Sequence, residues 1–248
     1  MTAFADLHVA GRPLLLPCAW DHASALALAG RGFAAIGTTS LGVAAANGLP
    51  DGASATREET LRLARALGSE PFLLSVDAES GFSEDPDEVA EYARRLAAVG
   101  AVGINLEDGL GPVGRHAAKI AAVRAAAPGL FVNARTDTYW LGDGTDTERR
   151  VDAYQEAGAH GVFVPGLSDA PAITALVRRL DVPLNVLYTP AGPTLPQLAG
   201  LGVARVSLGS LLYRRALGAA LEAVAEIGSG GTPRGAVPTY DEVRRGGS

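Results

Sequence analysis

Short apolar runs punctuate the chain at residues 14–17, 34–38, 72–76, 102–106, 130–134, 161–164, 184–187 and 204–208. Several are apolar throughout rather than alternating, as strands buried on both faces of a parallel sheet should be. Amphipathic stretches lie between them at 53–67, 117–126, 146–157, 170–179 and 210–225. The clearest helix opens at Asp85-Pro86-Asp87-Glu88, which supplies an N-cap, a proline at the first helical position and acids in the first turn. Val89, Tyr92, Ala93 and Leu96 follow at helical spacing, and Gly100 closes the segment. Strand–helix alternation with short connections predicts a parallel α/β sheet, and eight such units predict a (β/α)₈ TIM barrel. An open doubly wound sheet is the alternative, but the first apolar run lacks the Gly-x-Gly-x-x-Gly turn of that fold.

Length agrees with the pattern. The 248 residues match the roughly 250 of a typical TIM barrel. Residues 1–227 are expected to form that one domain. Gly228-Ser229-Gly230-Gly231-Thr232-Pro233 reads as a linker opening a C-terminal tail, 228–248, whose segment 237–243 docks on the barrel or on a neighbouring subunit.

Composition narrows the function. With 48% apolar and 19% charged residues, the chain reads as a compact globular enzyme. A net charge of −6 lacks the basic footprint of a nucleic-acid binder. No apolar run approaches the roughly 20 residues that span a bilayer. The N-terminus shows no basic and apolar export signal, so a cytoplasmic location is expected. A single cysteine, Cys18, excludes an internal disulfide and a multi-cysteine zinc site.

In a TIM barrel the active site lies at the C-terminal ends of the strands, so the polar residues there are the candidates. Thr38-Thr39-Ser40, Asp77-Ala78-Glu79, Glu107-Asp108 and Arg135-Thr136-Asp137 follow successive apolar runs, and Asp51 lies a little beyond the first of these groups. Asn185 and Tyr188 sit at the seventh run. So many carboxylates at one mouth repel unless a cation lies among them. A hard divalent ion with one direct carboxylate, the others acting through water, meets that need. Strand alternation puts Asp77 and Glu79 on one side of the chain. Arg135 is the obvious cation among these residues, and its planar fork suits a substrate carboxylate.

These segments resemble the isocitrate lyase/phosphoenolpyruvate mutase superfamily. The resemblance rests on Pro17-Cys18-Ala19-Trp20-Asp21, Gly42-Val43-Ala44-Ala45 with Gly48-Leu49-Pro50-Asp51, and Val76-Asp77-Ala78-Glu79-Ser80-Gly81-Phe82. It continues in Gly103-Ile104-Asn105-Leu106-Glu107-Asp108 and Asn133-Ala134-Arg135-Thr136-Asp137, and covers about residues 13–225. It implies Mg²⁺, with Mn²⁺ as a possible substitute, near Asp77, its waters held by Asp51, Glu79 and Glu107. It implies a small carboxylate substrate held by Thr39, Ser40, Leu41 and Arg135, with Asn185 lining the same pocket. Asp77, Glu107 and Arg135 are then the catalytic candidates. It also implies a homo-oligomer, a dimer or tetramer that exchanges C-terminal helices.

Departures from the superfamily pattern limit what carries over. The loop after the fourth run, Gly109-Leu110-Gly111-Pro112-Val113-Gly114-Arg115-His116, lacks the lyases' catalytic cysteine and the Lys and Asn of the mutases. A pocket glutamate of the lyases falls near Gly166, an aromatic of many members falls at Gly37, and Glu79 stands where aspartate is usual. The glycine-rich loop reads as a lid that brings Arg115 or His116 onto the substrate; the alternative, which we favour, is that His116 begins the following helix. Cys18 reads as buried packing, and Trp20-Asp21 as a helix cap. The expected function is therefore a Mg²⁺-dependent lyase or decarboxylase that cleaves a C–C bond of a small 2-oxo or 2-hydroxy dicarboxylate through an enolate. The alternatives are a P–C enzyme, meaning a phosphonopyruvate or carboxyphosphonoenolpyruvate mutase or hydrolase, and a non-catalytic metabolite-binding barrel.

Overall fold

The computed structural model describes residues 3–244. The two N-terminal residues, part of the segment judged for export, and the last four residues of the tail lie outside the described residues.

Pro17 divides the first barrel strand into β1 (Leu14–Leu16) and β2 (Cys18–Ala19). A proline has no N–H to offer a ladder, but its carbonyl still accepts from Gly37 N at 2.8 Å. The remaining strands are β3 (Ala35–Thr38), β4 (Leu73–Asp77), β5 (Ala101–Glu107), β6 (Phe131–Arg135), β7 (Gly161–Val164), β8 (Leu184–Leu187) and β9 (Arg205–Ser207). Each pairs in parallel with the next from β2 to β9. β1 pairs with β9 while β2 pairs with β3, so the two halves of one strand close the sheet on itself. The eight apolar runs are thus the eight strands of a barrel.

Helices cover the outside: α1 (His22–Ala29), α2 (Ser40–Ala46), α3 (Arg57–Leu67), α4 (Pro86–Ala98), α5 (Val113–Ala126), α6 (Thr147–Glu156), α7 (Ala170–Arg179), α8 (Leu195–Gly200), α9 (Leu211–Gly228) and α10 (Tyr240–Arg244). Asp21 caps α1 in a capping box with Ser24, and Asp85 caps α4 ahead of its proline. α9 runs past the expected end of the barrel, and Pro238, Glu242 and Val243 of the tail face α1 across a cleft.

The even-numbered strand residues Leu74, Val76, Ile104, Leu106, Val132, Ala134, Val162, Val164, Val186 and Val206 pack outward under the helices. In β4 to β9 the odd-numbered ones face the interior, whereas in β1 and β2 it is the even-numbered Leu16 and Cys18 that do. Phe4, ahead of the barrel, plugs its lower end against Phe131 and His8. Above that plug lies a buried polar layer. Asn105 Oδ1 accepts from Asn133 Nδ2 at 2.8 Å and from Arg205 Nη2 at 3.1 Å, and Arg205 Nε donates to Ser207 Oγ at 3.1 Å.

Candidate active site

A cavity of about 210 Å³ opens at the C-terminal ends of the strands. That is small beside the roughly 300–1,000 Å³ of sites for drug-sized ligands, and it suits a compact acid. Asp77, Thr38, Thr39, Ser40, Leu41, Asp51 and Arg135 line it, as do Cys18, Asn105 and Ser207.

Asp77 ends β4. Its backbone N–H is held by Thr38 Oγ1 at 2.9 Å, and its Oδ2 accepts from Ser40 N at 3.3 Å. Burial pushes the Asp77 carboxyl above its ordinary range; Arg135 opposes this, and the Asp51 charge adds to it. A buried carboxylate with so few donors of its own is suited to a cation. Among the described residues no three His, Cys, Asp or Glu side chains are grouped tightly enough to cage a metal by themselves. The donors nevertheless fit Mg²⁺, a hard ion that takes one or two carboxylates and keeps several waters.

Two of the expected water-holding acids are engaged elsewhere. Glu79 is buried and does not line the cavity: Thr56 Oγ1 donates to it at 2.5 Å and Ser54 N at 3.1 Å. Its backbone is left-handed, with φ of 47°, which turns the side chain out of the strand's alternation. Glu79 therefore anchors the loop that carries Asp51, and its extra methylene reaches that loop. Glu107 pairs with Arg135 Nη1 at 2.8 Å. Burial raises the Glu107 carboxyl to about 8; Arg135 lowers it, and Asp77 and Asp137 add to the rise.

Arg135 is gripped on its other side by Asp137, whose Oδ1 lies 2.6 Å from Nε. The full fork expected to clasp a substrate carboxylate is thus half spent, and Nη2 is the nitrogen left for a ligand. Asn185 does not line the cavity. It lies beneath, where its Nδ2 donates to Ser207 Oγ at 3.0 Å, so it supports a lining residue.

Arg115 and His116 do not line the cavity. α5 begins at Val113, and Arg115 pairs with Glu84 at 2.7 Å on the outside of the barrel. His116 is buried edge-on against Tyr154, and burial holds it down at about 4. The reading in which His116 belongs to the helix is the one the structure shows. Asp108, adjacent to Glu107 in sequence, explains why the loop is fixed. It accepts from Tyr154 Oη at 2.7 Å, Arg150 Nη1 at 2.9 Å, Leu110 N at 3.0 Å and Asp137 N at 3.1 Å. One buried carboxylate therefore ties the loops after β5 and β6 together.

Cys18 lies at the cavity wall, and burial raises its thiol to about 11, so it stays protonated near neutral pH. His22 pairs with Glu70 at the surface and His160 accepts from Val132 N, both outside the cavity. Sequence reasoning missed Trp140, Phe163, Pro165 and Leu187, which line the cavity. Phe163 and Leu187 are odd-numbered strand residues, and that alternation was the available signal.

The sequence model of the family described as phosphoenolpyruvate phosphomutase matches residues 4–228. The chain belongs to the phosphoenolpyruvate phosphomutase family. An uncharacterized protein of Mycobacterium tuberculosis is 45% identical over 249 aligned residues, covering 98% of this chain and 95% of that one. A 2-methylisocitrate lyase of Bacillus subtilis is 32% identical over 196 residues, covering 73% of this chain and 64% of that lyase. A solved phosphonopyruvate hydrolase, in complex with oxalate and Mg²⁺, superposes with a TM-score of 0.84 at 26% identity, covering 98% of this chain and 93% of that one. Named relatives of this phosphoenolpyruvate phosphomutase family member thus include a 2-methylisocitrate lyase and a phosphonopyruvate hydrolase, the latter superposing on the same barrel. Among the described residues no helix is long and apolar enough to cross a membrane.

Proposed function

We propose that this protein is a Mg²⁺-dependent lyase or decarboxylase that cleaves a C–C bond of a small 2-oxo or 2-hydroxy acid through an enolate. The observation that carries this reading is the pairing, in one small cavity, of the buried Asp77 carboxylate with the single free nitrogen of Arg135. Asp77 would hold the ion directly, with Asp51 holding its waters, Glu79 fixing the Asp51 loop and Glu107 fixing Arg135. When bound, Mg²⁺ supplies Lewis-acid stabilisation of the negative charge that develops as the bond breaks. Arg135 Nη2 donates to the substrate carboxylate, and the Thr39 and Ser40 hydroxyls orient it. Glu107 and Asp137 keep the guanidinium in place, so it needs no reorganisation on binding.

P–C chemistry is less well served. Among the described residues Arg135 is the one Lys or Arg in the cavity lining, whereas a phosphoryl group carries charge enough to call for more. Lys119 points to Ser80 O and Glu84, outside the cavity. The test is turnover followed by ¹H and ³¹P NMR with Mg²⁺, on oxaloacetate, alkylmalates, methylisocitrate, isocitrate, phosphonopyruvate and phosphoenolpyruvate. Metal-dependent loss of a C–C substrate, abolished by Asp77→Ala, is the expected result. Change confined to the phosphorus signals moves the protein to P–C chemistry, and tight Mg²⁺ binding without any turnover favours a binding barrel.

A further inference from the structure

The cavity has two unlike walls. Thr38, Thr39, Ser40, Asp51, Asp77 and Arg135 form the polar one; Trp140, Phe163, Pro165 and Leu187 form the other. Phe163 is spoken for, since the Arg135 guanidinium lies over its ring at 5.8 Å, and both Phe163 and Pro165 are largely covered. Trp140 is not, being 55% exposed. Leu141 beside it is 60% exposed, and Leu110 on the neighbouring loop is 38% exposed. An indole more than half exposed in the lining of a charged cavity, with two further exposed leucines on its own and the neighbouring loop, leaves hydrophobic area in water beside the site, where a ligand can cover it.

The Trp140 position is built, not incidental. Trp140 N and Leu141 N both donate to Asp137 O, at 3.0 and 2.8 Å, so the turn is wound on the residue that grips Arg135. Asp108 holds that residue's own N–H. From the other side, Gly166 at the end of β7 lets the Tyr139–Trp140 peptide lie directly on it. A Cβ at Gly166 would stand 2.5 Å from Tyr139 O and 3.2 Å from Trp140 N, and its φ of +83° disfavours any side chain. The space that a side chain at 166 would occupy is filled by backbone carrying an indole to the mouth.

We propose that the acid bound here carries an apolar substituent, a methyl or short alkyl chain beyond its keto group, that seats against Trp140, and that Trp140 sets the preference for it. This rests on the reading of the cavity as a metal-assisted oxo-acid site. Oxalate, glyoxylate, pyruvate, 2-oxobutanoate and 2-oxopentanoate would be titrated into the full chain with saturating Mg²⁺ by calorimetry, for wild type, Trp140→Ala and Trp140→Phe. Trp140 is exposed, so neither substitution opens a core cavity. Affinity is expected to rise about three- to fourfold per methylene from glyoxylate to 2-oxobutanoate. Trp140→Ala is expected to flatten this series and Trp140→Phe to keep part of it, with oxalate binding unchanged within about twofold. Oxalate binding with a flat wild-type series, or a gradient that persists in Trp140→Ala, overturns the inference and leaves the site reading standing. Wild type that fails to bind oxalate overturns both. A change of oligomeric state in Trp140→Ala, read by sedimentation, overturns the inference by assigning the rim to a subunit contact.

Discussion

Glu107 and Arg135 are register partners across β5 and β6, and their side chains meet at 2.8 Å. Asp137 takes the opposite edge of the same guanidinium. Arg135 is therefore a fixed cation with one nitrogen to offer, set among more carboxylates than it can neutralise. That imbalance favours the binding of a second positive charge there.

The imbalance has a pH signature. Glu107 stands at about 8 in the fold against an ordinary 4.5, chiefly through burial. A carboxyl raised on folding binds its proton more tightly in the native state, so its contribution to stability is complete below 4.5 and is lost as the pH rises to about 8. The metal-free protein is expected to melt progressively lower across this window, and Glu107→Gln to flatten the slope. A Mg²⁺ held on the neighbouring Asp77 would favour the ionised form of Glu107, so its affinity should rise with pH and its binding should release protons. Calorimetry at pH 6, 7 and 8, in buffers of different ionisation enthalpy, checks this; affinity that does not change with pH would count against it.

Arg135→Lys keeps the charge and loses the geometry. An ammonium cannot hold Glu107, Asp137 and a ligand oxygen in the fixed planar arrangement of a guanidinium. With one charge-assisted hydrogen bond to the ligand at stake, kcat/KM is expected to fall about 10- to 100-fold. If Nη2 meets a substrate carboxylate that is present before and during bond breaking, as proposed, the loss should appear mainly in KM. A change confined to kcat would place Arg135 at the breaking bond instead.

Asp108 belongs to stability. Burial works to raise its carboxyl, but hydrogen bonds from Tyr154, Leu110 N and Asp137 N outweigh this and hold it below the usual range. Asp108→Ala leaves Arg150 with Asp146, 3.2 Å from its Nε, as its remaining carboxylate partner among the described residues, removes the acceptor of Tyr154 Oη and frees both loops, so denaturant unfolding should show a loss of about 1–3 kcal/mol. The contribution of a carboxyl lowered in this way is present above its unfolded value and lost on acidification. A variant that unfolds at the wild-type midpoint would remove the clamp from this account.

The barrel was legible because its strands are buried on both faces and read as unbroken apolar runs. Which residues reach the cavity was legible where position along a strand decides direction, as for Asp77 and Arg135. It failed where the backbone leaves the strand. Glu79 shares the parity of Asp77, yet a left-handed φ turns it to Thr56. Asp108 looked like a member of the site because it follows Glu107, but its partners, Arg150 and Tyr154, lie 42 and 46 residues away in sequence. Asn185 was placed on the correct strand and one layer too high. Trp140 lies on a turn beyond the strand, where periodicity gives no direction.

α9 carries the last expectation. Leu217, Leu221, Val224 and Ile227 are spaced along one stripe of the helix and are 49%, 72%, 70% and 61% exposed, and no residue of α9 is buried. Its first turn is held by Tyr213, edge-on to Trp20 at 5.4 Å, and the helix then extends away from the barrel. Burying each such side chain is worth about 1.5–3 kcal/mol, enough together to stabilise a subunit contact. Wild type is expected to sediment as a dimer or tetramer at micromolar concentration. Leu221→Asp combined with Val224→Asp, both fully on the outer face, should yield a monomer with unchanged helical circular dichroism. Since Trp20 and Tyr213 pack on Gly42 of α2, the helix that opens with the cavity residue Ser40, the monomer should also bind Mg²⁺ less tightly if α9 is seated by its partner. A wild-type monomer, or a double variant that stays assembled, would show that this stripe is not the contact.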